Sequence, residues 1–413
     1  MRLPFWPGPS AAAILGLAVA IGMPAGAAPG LTYEQALDAA ERRAPSLAAG
    51  AASVDAAARS AEAAGQLPDP SLSVGLENLP VGGRDRFDWS AEPMTMRRLG
   101  WMQEVPNAAK RAAQRIGAQA ARERERARWL AVRQQVRGEA AVAWLARHYA
   151  QRRLVALASV EREVALLVDT VHARVAAGTA MPADAAMARL EAAALDDRRD
   201  ELQRQFDGAQ AAFVRWFGEA EPAGDPPLLT VDALQLKARL NRHVELLPYE
   251  PMLAMSEAAV AQAQAERRGD WAWEVAYSNR SRAFGDMLSV QLRFQLPVSP
   301  STRQGPRVSA RQKDAERVRA EAEEARLRVA AELDDELAEL RRLERALQRQ
   351  RERVEPLVQE RARLSLAAYQ AGRADLGSVL AARRNAAEAR LRTIELQSEL
   401  AQQNARLSHL VTE

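Results

Sequence analysis

The sequence predicts an α+β membrane protein in which very long antiparallel helices are joined to four short strands, with one plan laid out twice along the chain. Three observations predict it. From Asn107 to Ala177 there is no proline and the only glycines are Gly117 and Gly138, so one helix runs far beyond the usual globular length. Four short runs instead alternate apolar and polar residues, the period of a strand with two different faces. Finally, Val175-Ala-Ala-Gly178 matches Tyr369-Gln-Ala-Gly372 at a spacing of 194 residues, and Arg189 then falls opposite Arg383.

Residues 1–27 read as an export signal. Arg2 gives a thin positive start, Ala11 to Gly22 an apolar stretch, and Ala25-Gly26-Ala27 a small-residue cleavage site. The apolar stretch is short of the about 20 residues that a membrane-spanning helix needs. The mature chain then divides into a first repeat (28–218), a linker (219–232) and a second repeat (233–413). With 57 basic against 54 acidic residues the net charge is +3, and Arg and Glu are interleaved. That pattern describes solvated helix faces and not a phosphate-binding stripe, so nucleic acid is excluded as a partner. There is no cysteine, which removes disulfides, thiolate metal sites, thiol catalysis and lipidation on Cys.

Thr32 and Gln35 form a capping box that starts a helix, Pro45 punctuates it, and Leu67-Pro-Asp-Pro70 ends the Ala-rich pattern. Strands are expected at about 70–79 and 94–105, separated by a Gly, Asp and Pro-rich loop. Leu99 and Trp101 alternate cleanly in the second, but Arg97, Arg98 and Met102 leave its register open. A long helical hairpin over 107–217 turns at Gly178, and Glu219 to Pro227 is a linker. The second repeat opens on a helical region from about Val231 to Arg268, interrupted by Pro248 and Pro251. Strands at about 270–279 and 286–297 and a hairpin over 300–411 that turns at Gly372 follow. Leu333, Leu337, Leu340, Leu343 and Leu347 make a narrow coiled-coil-like seam, and Pro356 predicts a kink or change of packing.

The third and fourth strands put Trp271, Trp273, Val275, Tyr277, Leu288, Val290, Leu292 and Phe294 on one face. Glu274, Gln291 and Arg293 lie on the other, as does Glu77 in the first strand. Strands of about ten residues, apolar outward and polar inward, are the signature of a transmembrane β-barrel. Four cannot close: the smallest such barrels have about eight strands, and an open edge in lipid leaves backbone groups unsatisfied. Several chains must therefore share one barrel. In it Trp271, Trp273, Tyr277, Leu292 and Phe294 would face lipid, and Glu77, Glu274, Gln291 and Arg293 a water-filled pore.

These features resemble the TolC-type outer-membrane efflux channels over the whole mature chain. The most specific stretches are Leu67-Pro-Asp-Pro-Ser-Leu-Ser-Val74 and Met96-Arg-Arg-Leu-Gly-Trp-Met-Gln-Glu-Val-Pro-Asn-Ala-Ala-Lys-Arg111. The second is similar to the subgroup that serves heavy-metal pumps of the resistance-nodulation-division class (CzcC/CusC-like). The resemblance implies a homotrimer with a twelve-strand barrel in the outer membrane of a Gram-negative bacterium, continued by a twelve-helix periplasmic barrel. It also implies docking of a periplasmic adaptor and an inner-membrane pump at the tips around Gly178, Gly372, Arg189 and Arg383. Carboxylates ring the periplasmic aperture in that family; Asp184 matches one, the second repeat has Ser378 there, and Asp375 is its nearest substitute.

No enzyme is expected and no cofactor. His148, His172, His243 and His409 are scattered without metal-ligand spacing, Met94, Met96, Met252 and Met255 read as loop and core packing, and no catalytic triad or phosphate-cradling loop is present. The function implied is a passive exit duct for heavy-metal cations; a duct for drugs or for protein secretion, and a soluble periplasmic coiled-coil adaptor, are the alternatives.

Overall fold

The computed structural model describes residues 30–281 and 283–412; the expected export signal lies outside them. Helices α1 (Tyr33–Arg43) and α2 (Pro45–Ala63) lead into strands β1 (Ser71–Glu77) and β2 (Met96–Val105). Helix α3 (Ala108–Ala176) and its return partner α4 (Pro182–Phe217) follow. The second half repeats this order with α5 (Ala233–Ala238), α6 (Tyr249–Ala265), β3 (Trp271–Asn279), β4 (Met287–Phe294), α7 (Gly305–Arg349), α8 (Glu355–Gln370) and α9 (Leu376–Ser408).

Local chemistry sets most of these boundaries. Thr32 and Gln35 exchange side-chain and backbone hydrogen bonds at the start of α1, and Pro45 opens α2 where its missing N–H costs nothing. β1 stops at Asn78, whose φ of 56° leaves the strand conformation. The Asn78 side-chain amide donates to the Met94 carbonyl at 3.2 Å and the Thr95 hydroxyl donates to the Asn78 carbonyl at 3.0 Å, which closes the neck of the β1–β2 loop. The helical region expected from Val231 is shorter than expected: α5 ends at Ala238, and the chain resumes as α6 only at Tyr249. Pro251 does not interrupt α6, because it occupies the first turn, where no intrahelical N–H is needed.

At 69 residues α3 is about 100 Å long, and it packs against α1, α2, α4, α6 and α9. Trp144, Leu145, Leu157, Leu202 and Phe213 form the main core with Tyr33 and Leu37, and buried alanines such as Ala36, Ala40 and Ala140 let the helices approach closely. The long helices otherwise bury only narrow stripes. On α7 the buried residues are Val308, Ala315, Val318, Ala325, Val329, Leu333, Leu337, Leu340, Leu343 and Leu347, a repeat of threes, fours and sevens. A π-turn at Gln350–Val354 separates α7 from α8, directly ahead of Pro356. There the extra residue absorbs the hydrogen bond that proline cannot donate.

The linker after α4 is tied down. Leu31 N–H donates to the Glu221 carbonyl at 2.7 Å and Ala223 N–H to the Leu31 carbonyl at 2.8 Å, while the Arg147 guanidinium meets the Glu221 carboxylate at 2.6 Å. The C-terminus is fixed likewise, with Val244 N–H donating to the Leu410 carbonyl at 3.0 Å.

Candidate functional site

The four strands form one antiparallel sheet in the order β1-β2-β3-β4. Its register decides which side chains share a face. Leu72 pairs with Trp101 and Trp101 with Val275, which pairs with Val290; Glu274 pairs with Met102 and Gln291. One face therefore carries Leu72, Val74, Leu76, Leu99, Trp101, Trp271, Trp273, Val275, Tyr277, Leu288, Val290, Leu292 and Phe294. The other carries Glu77, Arg98, Gly100, Met102, Ala276, Glu274, Gln291 and Arg293. The register left open in β2 is thus fixed, and Leu99 and Trp101 fall on the apolar side.

The two faces differ in crowding. On the apolar face Val290 is 67% exposed, whereas Ala276 opposite is 1% exposed. A Cβ on Gly100 would meet Ser73 Oγ at 2.6 Å and Glu274 Oε1 at 2.9 Å. The polar face is thus the more crowded of the two. Arg98 is held there by two carboxylates, Glu77 and Glu274, each at 2.7 Å, and Arg293 lies 3.8 Å from the second Glu274 oxygen. A guanidinium shared between strands fixes their spacing, and together with Arg293 it balances the charge of the two acids.

At one end the sheet grows directly out of the helices. The Asn107 side-chain oxygen caps α3 through Lys110 N–H (2.9 Å), and its amide donates to the Ala265 and Arg268 carbonyls (3.1 and 3.0 Å). Asp270 accepts from Asn107 N–H (2.8 Å) and pairs with the Lys110 ammonium (2.7 Å). Gly269 sits where any Cβ would collide with the Gln295 carbonyl oxygen at 1.6 Å. These contacts join the strand-to-helix junctions of the two halves. Neither Asn107 nor Asp270 was singled out from the sequence, because the partners are 163 residues apart.

The two hairpin turns are copies in hydrogen bonding as well as in sequence. Gly178 (φ 71°) and Gly372 (φ 72°) adopt the left-handed conformation that closes each helix. Thr179 N–H donates to the Arg174 carbonyl and Arg373 N–H to the Ala368 carbonyl, both at 2.8 Å. The return helices are capped by different routes. In α4 Asp184 reaches back to Met181 N–H at 3.1 Å; in α9 Asp375 is itself the cap and accepts from Ser378 N–H at 2.7 Å. The tips pack together through Val171, Ala185, Ala188, Leu376 and Leu380.

Two polar contacts that the sequence did not signal also join the tips. Arg174 donates to the Tyr369 hydroxyl at 3.0 Å with its guanidinium 5.2 Å from that ring, and Arg384 meets the buried Glu191 at 3.2 Å. Of the residues expected at the tips, Arg189 is exposed and folds back on the Ala185 carbonyl at 3.3 Å, and Arg383 is half-buried. Met181, just ahead of α4, and Leu190 on it are exposed by 70% and 72%.

Three of the four histidines are packing residues, with His148 stacked on Trp144 at 5.5 Å, His243 buried and His409 3.2 Å from the Gln134 side-chain oxygen, whereas His172 is exposed. Among the described residues no group of three or more His, Asp or Glu is placed to hold a metal ion, and no helix is long and apolar enough to cross a membrane.

The chain thus joins a four-stranded sheet, apolar on one face and charged on the other, to helices of this length. Solved structures agree on the fold. The chain superposes on CusC, whose crystal structures concern transmembrane channel formation, with a TM-score of 0.76 at 15% identity over 94% of this chain and 93% of that one. The outer membrane protein VceC of Vibrio cholerae gives 0.74 at 18% identity (92% and 95%), and the CmeC outer membrane channel of Campylobacter jejuni 0.76 at 11% (92% and 85%). No family model and no curated protein matches the chain. It therefore has the fold of the outer-membrane efflux channels, four barrel strands per chain included.

Proposed function

We propose that this chain is the outer-membrane exit duct of a tripartite efflux system, a passive conduit with no chemistry of its own. The observation that carries the reading is the sheet: one face is exposed and apolar, the other charged, and among the described residues no strand lies beside either outer edge, on β1 or β4. Backbone groups on such edges are costly in lipid, so the sheet must be completed by other copies. β1 runs away from the helices and β4 runs back toward them. The β1 of a second copy therefore meets β4 antiparallel and continues the alternation. Three copies give a closed twelve-strand barrel, as the family resemblance implies, with Trp271, Trp273, Tyr277, Leu292 and Phe294 in lipid. Glu77, Glu274, Gln291 and Arg293 then line the lumen, and the repeats 28–218 and 233–413 contribute equivalent halves of each protomer.

The helical barrel would stand in the periplasm with the Gly178 and Gly372 tips toward the inner membrane. Exposed Met181 and Leu190 beside Arg189 offer an adaptor an apolar surface with a cationic neighbour. Heavy-metal cations are the substrate we infer, from the likeness of Met96 to Arg111 to the metal-efflux subgroup. Deleting the gene and scoring growth on copper, silver, zinc, cobalt and cadmium beside a drug panel tests this. Sensitivity to metals alone supports the reading, and sensitivity to drugs alone replaces metals with organic substrates. Recovery of the protein in osmotic-shock fluid, in place of heat-resistant oligomers in the outer membrane, would overturn the duct itself.

A further inference from the structure

Arg97 breaks the rule that the outward face of the sheet is apolar. It pairs with Leu76 and Asn279 across the sheet, on the same side as Leu99 and Trp101, and it is exposed. It makes no ion pair among the described residues, in contrast to its neighbour Arg98 on the inner face. Eight residues separate it from Val105 at the helical end, which is about 26 Å along a strand; tilted, that spans most of the about 25 Å apolar band of an outer-membrane barrel. On the duct reading, on which this inference rests, Arg97 therefore sits where acyl chains give way to the outer-leaflet headgroups.

The β1–β2 loop carries matching features. Trp89 lies under the Arg97 guanidinium at 5.6 Å, and Arg86 lies over Phe87 at 4.8 Å. Both rings are more than half exposed, and Phe87 is held at a φ of 60°, a conformation that costs energy in a bulky residue. Aromatic rings of this kind settle at a bilayer interface. Nearby acids are partly committed: Asp88 accepts from Ser90 and Ala91 N–H, and Asp286 from Tyr277 and Asn279. Asp85 and Glu92 are not so engaged, so attraction for an anion depends on where Arg97 and Arg86 stand and not on net loop charge.

We propose that Arg97, supported by Arg86 and the Trp89 and Phe87 rings, is a docking site for the phosphorylated headgroup of an outer-leaflet glycolipid. Arginine suits this task, since its planar fork gives paired hydrogen bonds to phosphate while its face rests on an aromatic ring. The site belongs to the outside of the barrel and has no part in conduction.

The test uses the assembled channel, extracted from outer membranes and exchanged into detergent, with bisphosphorylated lipid A as probe. Native mass spectrometry counts lipid A retained per oligomer for wild type, Arg97→Gln, Arg97→Lys and Arg86→Gln. Expected are a loss of about tenfold or more in apparent affinity for Arg97→Gln, a smaller loss for Arg86→Gln, and an intermediate loss for Arg97→Lys, which keeps the charge but neither the fork nor the stacking face. Dephosphorylated lipid A should bind no better to wild type than to Arg97→Gln. Equal retention by wild type, Arg97→Gln and Arg86→Gln overturns the site, as does binding of dephosphorylated lipid A to wild type as tightly as the bisphosphorylated form. Full displacement by millimolar inorganic phosphate would make it a small-anion site and also overturn the proposal. An oligomer that conducts in bilayers but ignores lipid A sinks this inference alone; absence from the outer membrane sinks the duct reading.

Discussion

Asp184 and Asp375 occupy equivalent ends of the two return helices but cap them by opposite routes, one from the third helical position and one from the cap itself. Their carboxylates thus have a structural task whether or not they also guard an aperture. Asp184→Asn separates the two roles, because asparagine keeps an acceptor for Met181 N–H and removes the charge. If the carboxylate selects cations, the variant should lower the cation-to-anion permeability ratio severalfold in planar bilayers, with thermal stability unchanged; an unaltered ratio would leave Asp184 as a cap only. At the opposite end of the helices, burial and the nearby Arg137 lower the His409 pKa to about 4, against a weaker opposing pull from Glu41. The folded chain thus takes up this proton only well below the unfolded value of 6.5. Stability from this group is complete above pH 6.5 and is lost as the pH falls toward 4. His409→Gln should flatten that part of the stability–pH curve in thermal unfolding, and an unchanged slope would contradict the assignment. The sequence singled out Asp184 and Asp375, which the fold sets at helix starts, as aperture carboxylates. It gave no hint of the Arg174–Tyr369 and Glu191–Arg384 contacts, since periodicity reports the face of one helix and not its partner almost 200 residues away.

Elements were more legible than contacts. A proline-free run, an Ala-Gly turn and alternating strands are local patterns, and α3, the two turns and all four strands lie where those patterns put them. The five-leucine seam is buried throughout, with Leu337 only 1% exposed. Where the reading fell short, position within an element decided: Pro251 is harmless in a first turn, and β4 ends at Phe294 ahead of the proline-bearing segment. The strand-to-helix joint shows what no local pattern reveals. Asn107 caps α3 and at once ties it to the end of α6 and the start of β3, so its loss removes a cap and strands the Ala265 and Arg268 carbonyls. Asn107→Ala should cost about 1–2 kcal/mol from the cap alone and lower the temperature at which the oligomer dissociates. Asn107→Ser should restore much of the capping but not the tie. If both variants melt with wild type, the joint does not hold the sheet on the helices.

At the scale of the whole molecule, one chain is visibly incomplete. Its helices bury narrow stripes, and its sheet ends in two open edges beside an exposed apolar face. The sequence already implied this incompleteness, since four strands of membrane length cannot close; the structure adds the register and the strand directions that set the antiparallel sense in which a neighbour would fit. The absence of cysteine from the chain makes the fit directly measurable. With Val74→Cys on β1 and, in separate variants, Leu288→Cys, Val290→Cys or Leu292→Cys on β4, mild oxidation in native outer membranes should link β1 of one copy to β4 of the next. Non-reducing gels should then show covalent dimers and trimers for the pair in register, with a closed trimer as the largest product. Monomers alone for every pair, or open ladders running past the trimer, would contradict a shared three-chain barrel.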